Sequence, residues 1–137
     1  MTLELHAGRG AGPRVEGQAL VSEEGFSARY DVDRDTGIVS RETHFLYGES
    51  IVDRILVFPT AKGGVATSWA LYDMGRRGIA PRALLFRETN PVMVQGAVFA
   101  GIPILAEIEP DPVEAIRTGD WLEVDPASGR ILVRSAL

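Results

Sequence analysis

The sequence predicts an α/β fold in one compact domain spanning residues 1–137, with mixed sheets and a strand–glycine loop–helix motif. Three observations carry that reading. Ile55-Leu-Val-Phe58 and Ala83-Leu-Leu-Phe86 are short, continuous apolar runs, the pattern of strands buried on both faces. Each run is followed by helix-start residues and an apolar stretch, Thr67-Ser68 in one case and Asn90-Pro91 in the other. The C-terminal segments Asp120–Asp125 and Arg130–Arg134, joined through Pro126-Ala-Ser-Gly129, read as a closing β-hairpin. Strands outnumber helices, and the two strand–helix–strand passages predict a partly parallel layer.

Taken in order, Thr2-Leu-Glu-Leu-His-Ala7 alternates as a half-buried strand does, and Gly8, Gly10, Gly12 and Pro13 are expected to break it. Val15 to Ser22 is a second strand candidate and Phe26 to Tyr30 a third. Asp31-Val-Asp-Arg-Asp-Thr-Gly37 is rich in turn formers and lacks the spacing and terminal glutamate of an EF-hand, so a solvated turn is expected. Ile38 and Val39 resume an extended path toward His44 and the turn Tyr47-Gly48-Glu49-Ser50. After the central motif the helix is expected to stop at Gly75 or Gly78, with Arg76 and Arg77 suiting its C-terminus. Asn90 as N-cap and Pro91 at the first position start a buried helix over 92–100. Ile102 to Ala106 follows as a strand, and Pro112 to Ile116 as a single helical turn.

Composition narrows the function classes. The 137 residues carry a formal charge of −5, which supplies no broad basic face for nucleic acid. There is no cysteine, so disulfides, a thiol nucleophile and a cysteine-held metal cluster within this chain are excluded. The first ten residues hold Glu4 and no long apolar core, unlike a secretory signal, and Pro91 to Ile108 is interrupted by Gln95, Gly101 and Pro103, unlike a membrane span. A cytoplasmic location is the expectation. With His6 and His44 as the only histidines, neither is expected to ligate a metal.

The segment from Ile55 to Met74 organises the chain. Pro59 is expected to end the strand, because proline cannot donate to a sheet ladder. Lys62, Gly63 and Gly64 form a loop whose backbone can approach a ligand closely. Thr67 or Ser68 can cap the helix that follows, which sets Ala70, Leu71 and Met74 on one face. A helix N-terminus leaves N–H groups unpaired and carries partial positive charge, so an anionic substrate group is expected there, with Lys62 adding a full charge. Lys62, Gly63, Gly64, Thr67 and Asn90 are the candidate binding residues, and Arg54, Arg82 or Arg87 are further sources of positive charge. The blander roles are a solvated loop lysine, backbone shape and helix caps. Trp69 and Trp121 read as core or subunit-contact aromatics.

Gly17-Gln-Ala-Leu-Val-Ser22, Asp35-Thr-Gly-Ile38, Leu46-Tyr-Gly-Glu-Ser-Ile51, Ile55-Leu-Val-Phe-Pro59 and Lys62-Gly-Gly-Val-Ala-Thr-Ser-Trp69 occur in an order and spacing that resemble the aconitase X swivel domain. Gly78-Ile-Ala-Pro-Arg-Ala83 and Thr118-Gly-Asp120 extend the resemblance to nearly the whole chain. It implies a swivelling β/β/α fold and a small subunit of a hydro-lyase. It also implies a larger catalytic partner that holds an iron–sulfur cluster. Family activities are dehydration of mevalonate 5-phosphate and of cis-3-hydroxyproline, with the cluster as Lewis acid and a base removing a proton beside a carboxylate-bearing carbon. One departure from the family matters. The archaeal loop reads Gly-Ser-Thr-Val-Gly-Ser with its first serine as proton acceptor, and that position is Gly64 here. Ser68, matching the second serine, is therefore the candidate catalytic residue, the alternative being a base on the partner.

Two other classes compete. A non-catalytic binding or assembly module of the same fold is consistent with Gly64. A phosphohistidine carrier domain would need a histidine where Trp69 stands, and an indole nitrogen is a donor only. A Walker-type nucleotide loop is unsupported, since no Gly-Lys-Ser/Thr follows at the required spacing.

Overall fold

The computed structural model describes residues 2–62 and 65–136. Its strands are β1 (Thr2–Ala11), β2 (Val15–Val21), β3 (Ile55–Thr60), β4 (Ala83–Glu88), β5 (Ile104–Glu109), β6 (Trp121–Asp125) and β7 (Arg130–Arg134). Its helices are α1 (Val65–Arg76), α2 (Pro91–Ala100) and α3 (Pro112–Ala115). The strands close into a barrel in the order β1-β5-β4-β3-β2-β6-β7. Neighbours from β2 through β3 and β4 to β5 are parallel, and all other pairings are antiparallel.

Barrel closure explains the two apolar runs. Along β3, Ile55 and Val57 point into the barrel beside Ala83, Leu85, Leu105, Leu122 and Ile131. Leu56 and Phe58 point outward with Leu84 and Phe86, under Leu71, Met74 and Met93 of the helices. Alternate side chains thus enter two separate cores, which is why neither run shows the polar alternation of a one-sided strand. Phe26, Ala28, Val39, Leu46 and Ile51 complete the outer core from the long segment between β2 and β3. Phe26 stacks on Phe58 at 4.7 Å between ring centroids.

Several boundaries differ from the sequence expectation. Gly8 and Gly10 lie within β1, which pairs with β7 through its first half and with β5 toward its end and so closes the barrel. A Cβ at Gly10 would stand 2.8 Å from the Pro126 carbonyl oxygen, so glycine here serves close approach rather than a break. β3 continues through Pro59, which falls after the last β2 pairing at Val57 and before the Phe26 N–H bonds Thr60 O. Its missing donor therefore costs the sheet no registered pair. Phe26–Tyr30 is a bridge residue followed by turns rather than a strand. Asp31 is 1% exposed, so the expected solvated turn begins on a buried carboxylate. α1 passes through Gly75 and ends at Arg76, with Gly78 at φ 74 just beyond. The other elements match within a few residues, and no described helix is long and apolar enough to cross a membrane.

α1 and α2 pack closely on the outer core because Gly96 faces Ser68. A Cβ at position 96 would stand 2.7 Å from the Cα, Cβ and Oγ of Ser68. Gly96→Ala is expected to push the helices apart and lower stability by about 1–3 kcal/mol. Leu85→Ala, which empties part of the barrel interior, is expected to cost about 2–5 kcal/mol. Chemical denaturation of the two variants beside the parent checks both.

Candidate functional site at the carboxyl edge of the parallel strands

β3 and β4 run parallel and both continue into helices, so the N-termini of α1 and α2 lie together at the carboxyl edge of the parallel layer. In α/β barrels, as in open α/β sheets, that edge of the parallel strands is where ligands bind, since the loops there are free to vary and the helix N-termini present N–H groups. The candidate residues fall here, with Lys62 leading from β3 toward α1, Thr67 and Ser68 in the first turn of α1, and Asn90 just before α2. Gly63 and Gly64 lie outside the described residues.

Neither Thr67 nor Ser68 caps α1, because the helix already begins at Val65. Thr67 points into the protein, 2% exposed, with its hydroxyl 3.2 Å from Ser27 Oγ. Ser68 points toward α2 and donates to Val92 O at 2.7 Å. Asn90 caps α2: its Oδ1 accepts from Met93 N–H at 2.8 Å, and Pro91 occupies the first turn.

Ser68 also lines an open groove of about 500 Å³ between α1 and α2 with Val65, Trp69, Tyr72, Val92 and Phe99. Trp69 is 65% and Phe99 67% exposed, and Trp69 meets Tyr72 edge-on. Trp69 is thus a surface aromatic beside the candidate loop. Trp121, on β6, is also partly exposed and donates from Nε1 to Glu16 Oε1 at 3.1 Å.

A polar network that the sequence did not announce surrounds Lys62 and Thr67. The Asp31 carboxylate accepts from Ser27 N–H at 2.9 Å and from Arg41 Nε at 2.6 Å. Arg41 Nη2 donates onward to Glu24 Oε2 at 2.5 Å. Glu24 also accepts from Phe45 N–H at 3.1 Å and lies 3.5 Å from Lys62 Nζ. His44 is buried, takes the Leu46 N–H on Nδ1 at 3.0 Å and gives its Nε2 proton to Gly25 O at 3.0 Å. That accounts for both ring nitrogens, so His44 is a hydrogen-bonded structural histidine. Partial desolvation acts to raise the Glu24 pKa, but the Phe45 N–H, the neighbouring His44, Arg41 and Lys62 outweigh it and hold the carboxyl below 4.5. Hydrogen bonding to Asp31, opposed by desolvation, leaves Arg41 holding its proton more firmly than an ordinary arginine.

Glu24, Ser27, Asp31 and Arg41 sit in irregular chain between β2 and β3, where no periodicity marks them. The turn-former run that begins at Asp31 was visible in the sequence, but nothing in its spacing relates it, Glu24 or Arg41 to Lys62. Of the arginines considered from sequence, Arg54 and Arg82 lie at the amino ends of β3 and β4, the opposite edge of the layer. They pair there with Glu49 and Asp53. Arg87 is near the carboxyl end of β4 but is engaged by Asp111 at 2.8 Å.

The family model for the aconitase X swivel domain matches residues 5–133. The phosphomevalonate dehydratase small subunit of Methanocella arvoryzae is 36% identical over 129 residues, covering 94% of this chain and 98% of that one. The protein of the same description from Methanosarcina acetivorans is 38% identical over 117 residues, covering 85% and 81%. In the crystal structure of holo aconitase X from Thermococcus kodakaraensis, one chain superposes with a TM-score of 0.90 at 30% identity, covering 97% of this chain and 99% of that one. The barrel with its helix-bearing parallel edge is therefore a swivel domain, and the chain belongs to the aconitase X swivel-domain family.

Proposed function

We propose that this chain is the small subunit of a cytoplasmic two-subunit hydro-lyase that dehydrates a small hydroxy acid, with an anionic group of the substrate bound at the 62–68 loop. The observation that carries it is the match, over nearly the full length of both chains, to small subunits named for phosphomevalonate dehydration. Mevalonate 5-phosphate is accordingly the first substrate to test. A cluster does not fit this chain: it has no thiolate, and the described residues hold no group of three His, Asp or Glu side chains placed to bind a metal. The iron–sulfur cluster is proposed for the large subunit.

This chain's own share of the chemistry is binding, orientation and exclusion of water. Lys62 and the paired helix N-termini favour a phosphate or carboxylate at the carboxyl edge. Thr67 holds the start of α1 through Ser27, and Asn90 holds the start of α2. The exposed face of Val65, Trp69 and Phe99 beside them is proposed to seat the large subunit, which would bring the edge against the partner's active centre.

Ser68 is the proposed proton-transfer residue. Among the described residues no titratable side chain hydrogen-bonds its hydroxyl, which donates to Val92 O, so the group that activates it would come from the partner. The same observation favours a second reading, in which the chain binds and assembles while the base lies wholly on the partner.

Two measurements test these readings, and a third tests the electrostatics around Glu24. Ser68→Ala in the complex reconstituted with the large subunit is expected to lower kcat on mevalonate 5-phosphate by about 10²–10⁴-fold. Losing the Val92 bond accounts for only about 0.5–1.5 kcal/mol of stability, read in parallel by denaturation. Turnover unchanged with assembly intact supports the binding module instead. Trp69→Asp is expected to weaken association with the large subunit by about 30-fold or more in a titration, while the isolated chain keeps its stability within about 0.5 kcal/mol.

The third concerns pH. Glu24 faces Arg41, Lys62 and, through Gly25, His44, and its folded carboxyl lies below the ordinary 4.5. A depressed carboxyl contributes stability above its unfolded value and loses it as pH falls through the folded one. Glu24→Gln lacks that contribution at every pH. The stability gap between parent and Glu24→Gln is therefore expected to narrow as pH drops below 4.5, measured by denaturation at several pH values.

A further inference from the structure

Of the 14 lysines and arginines in the sequence, Lys62 is the only lysine. An arginine presents a planar fork that is set in direction by its own geometry, whereas a lysine is a point charge on a flexible stem with three rotatable donors. A lysine that is to meet an anion in one place must be held from outside. The structure fixes Lys62 at three levels. Its backbone N–H donates to Phe26 O at 2.8 Å. Its stem crosses Gly25, where an added Cβ would stand 3.2 Å from Lys62 Cγ and 3.1 Å from Thr60 O. Its ammonium lies 3.5 Å from Glu24 Oε2.

Glu24 is itself immobilised. Oε1 accepts from Phe45 N–H, and Oε2 takes Arg41 Nη2, whose guanidinium is anchored through Nε on the buried carboxylate of Asp31. Asp31 accepts the Ser27 N–H, and the Ser27 hydroxyl reaches Thr67 in the first turn of α1. The contacts therefore form a circuit that starts at Lys62 on one side of the loop and returns to Thr67 on the other. Neither Glu24 nor Arg41 belongs to the loop motif.

We propose that Glu24 is a positioning residue for substrate binding: its Arg41-anchored carboxylate holds the Lys62 ammonium at the loop, ready for a phosphate or carboxylate group. The inference rests on the anion-binding reading above and adds the residue through which that reading works. Glu24 acts through Lys62 and does not itself touch the substrate.

The test is a double-mutant cycle in the reconstituted complex with mevalonate 5-phosphate. Glu24→Ala is expected to raise KM about fivefold, the ceiling for one partly exposed ion pair, with kcat little changed. Lys62→Ala raises KM as well, and adding Glu24→Ala to it changes nothing further. A Glu24→Ala effect that persists in the Lys62→Ala background marks a merely structural role and overturns the proposal.

If the parent complex turns over no mevalonate 5-phosphate, that substrate falls and a second experiment decides on Glu24. Reductive methylation of the isolated chain with ¹³C-formaldehyde labels Lys62 and the N-terminal amine alone. The Lys62 methyl signal is expected to move saturably with inorganic phosphate, with a midpoint about fivefold higher in Glu24→Ala. No saturable shift in the parent chain, or an unchanged midpoint in the variant, overturns the proposal.

Discussion

The rest of the structure depends on one constraint: β3 and β4 are apolar on both faces, so both faces must be covered. The barrel covers the inner face and the helices the outer one. A parallel strand pair needs a crossover, and a helix laid back over the outer face supplies it. That geometry puts the start of α1 and of α2 at the same edge of the layer. The edge to which the two helix N-termini are brought is thus set by the need to bury Leu56, Phe58, Leu84 and Phe86 rather than by any polar residue.

The close approach of α1 and α2 follows from the same need. Gly96 lets the Ser68 side chain lie against the α2 backbone, and the Ser68 hydroxyl satisfies a carbonyl in the first turn of α2. A small residue at a helix crossing allows such close spacing, and the Ser68–Val92 hydrogen bond spans it. Glu24, Arg41 and Asp31 do for the neighbouring chain between β2 and β3 what Gly96 does for the helices: they tie irregular backbone to the same edge. Asp31 is buried while Arg41 is partly exposed, so the ion pair runs from the interior of the protein to its surface.

Much of this was legible in the sequence for physical reasons that can be named. The apolar runs at 55–58 and 83–86, the Asn90-Pro91 cap and the Pro126–Gly129 hairpin turn are each decided locally, by burial, φ or turn chemistry. What failed was decided at a distance. Gly8 and Gly10 look like breakers until β5 and the Pro126 carbonyl approach them. Pro59 looks like a terminator until β2 is seen to stop pairing at Val57. Asp31 looks solvated until Arg41 and Ser27 fold over it. The loop residues Lys62, Thr67, Ser68 and Asn90 could be picked out because they sit beside a strand end. Glu24 and Arg41 could not, since only the fold brings them to Lys62.

Barrel closure combined with a single lysine has a consequence for the chain as a covalent object. A lysine-specific protease has one target bond in the sequence, Lys62–Gly63, between β3 and α1. The piece ending there would carry β1, β2 and β3, and the other piece the remaining four strands. In the closed order these alternate in blocks, so β1 pairs with β5 and β7, β3 with β4, and β2 with β6, every seam joining one piece to the other. A nicked molecule would stay assembled through four strand seams and two shared cores. The fold is in effect a split protein already, divided in sequence just after Lys62.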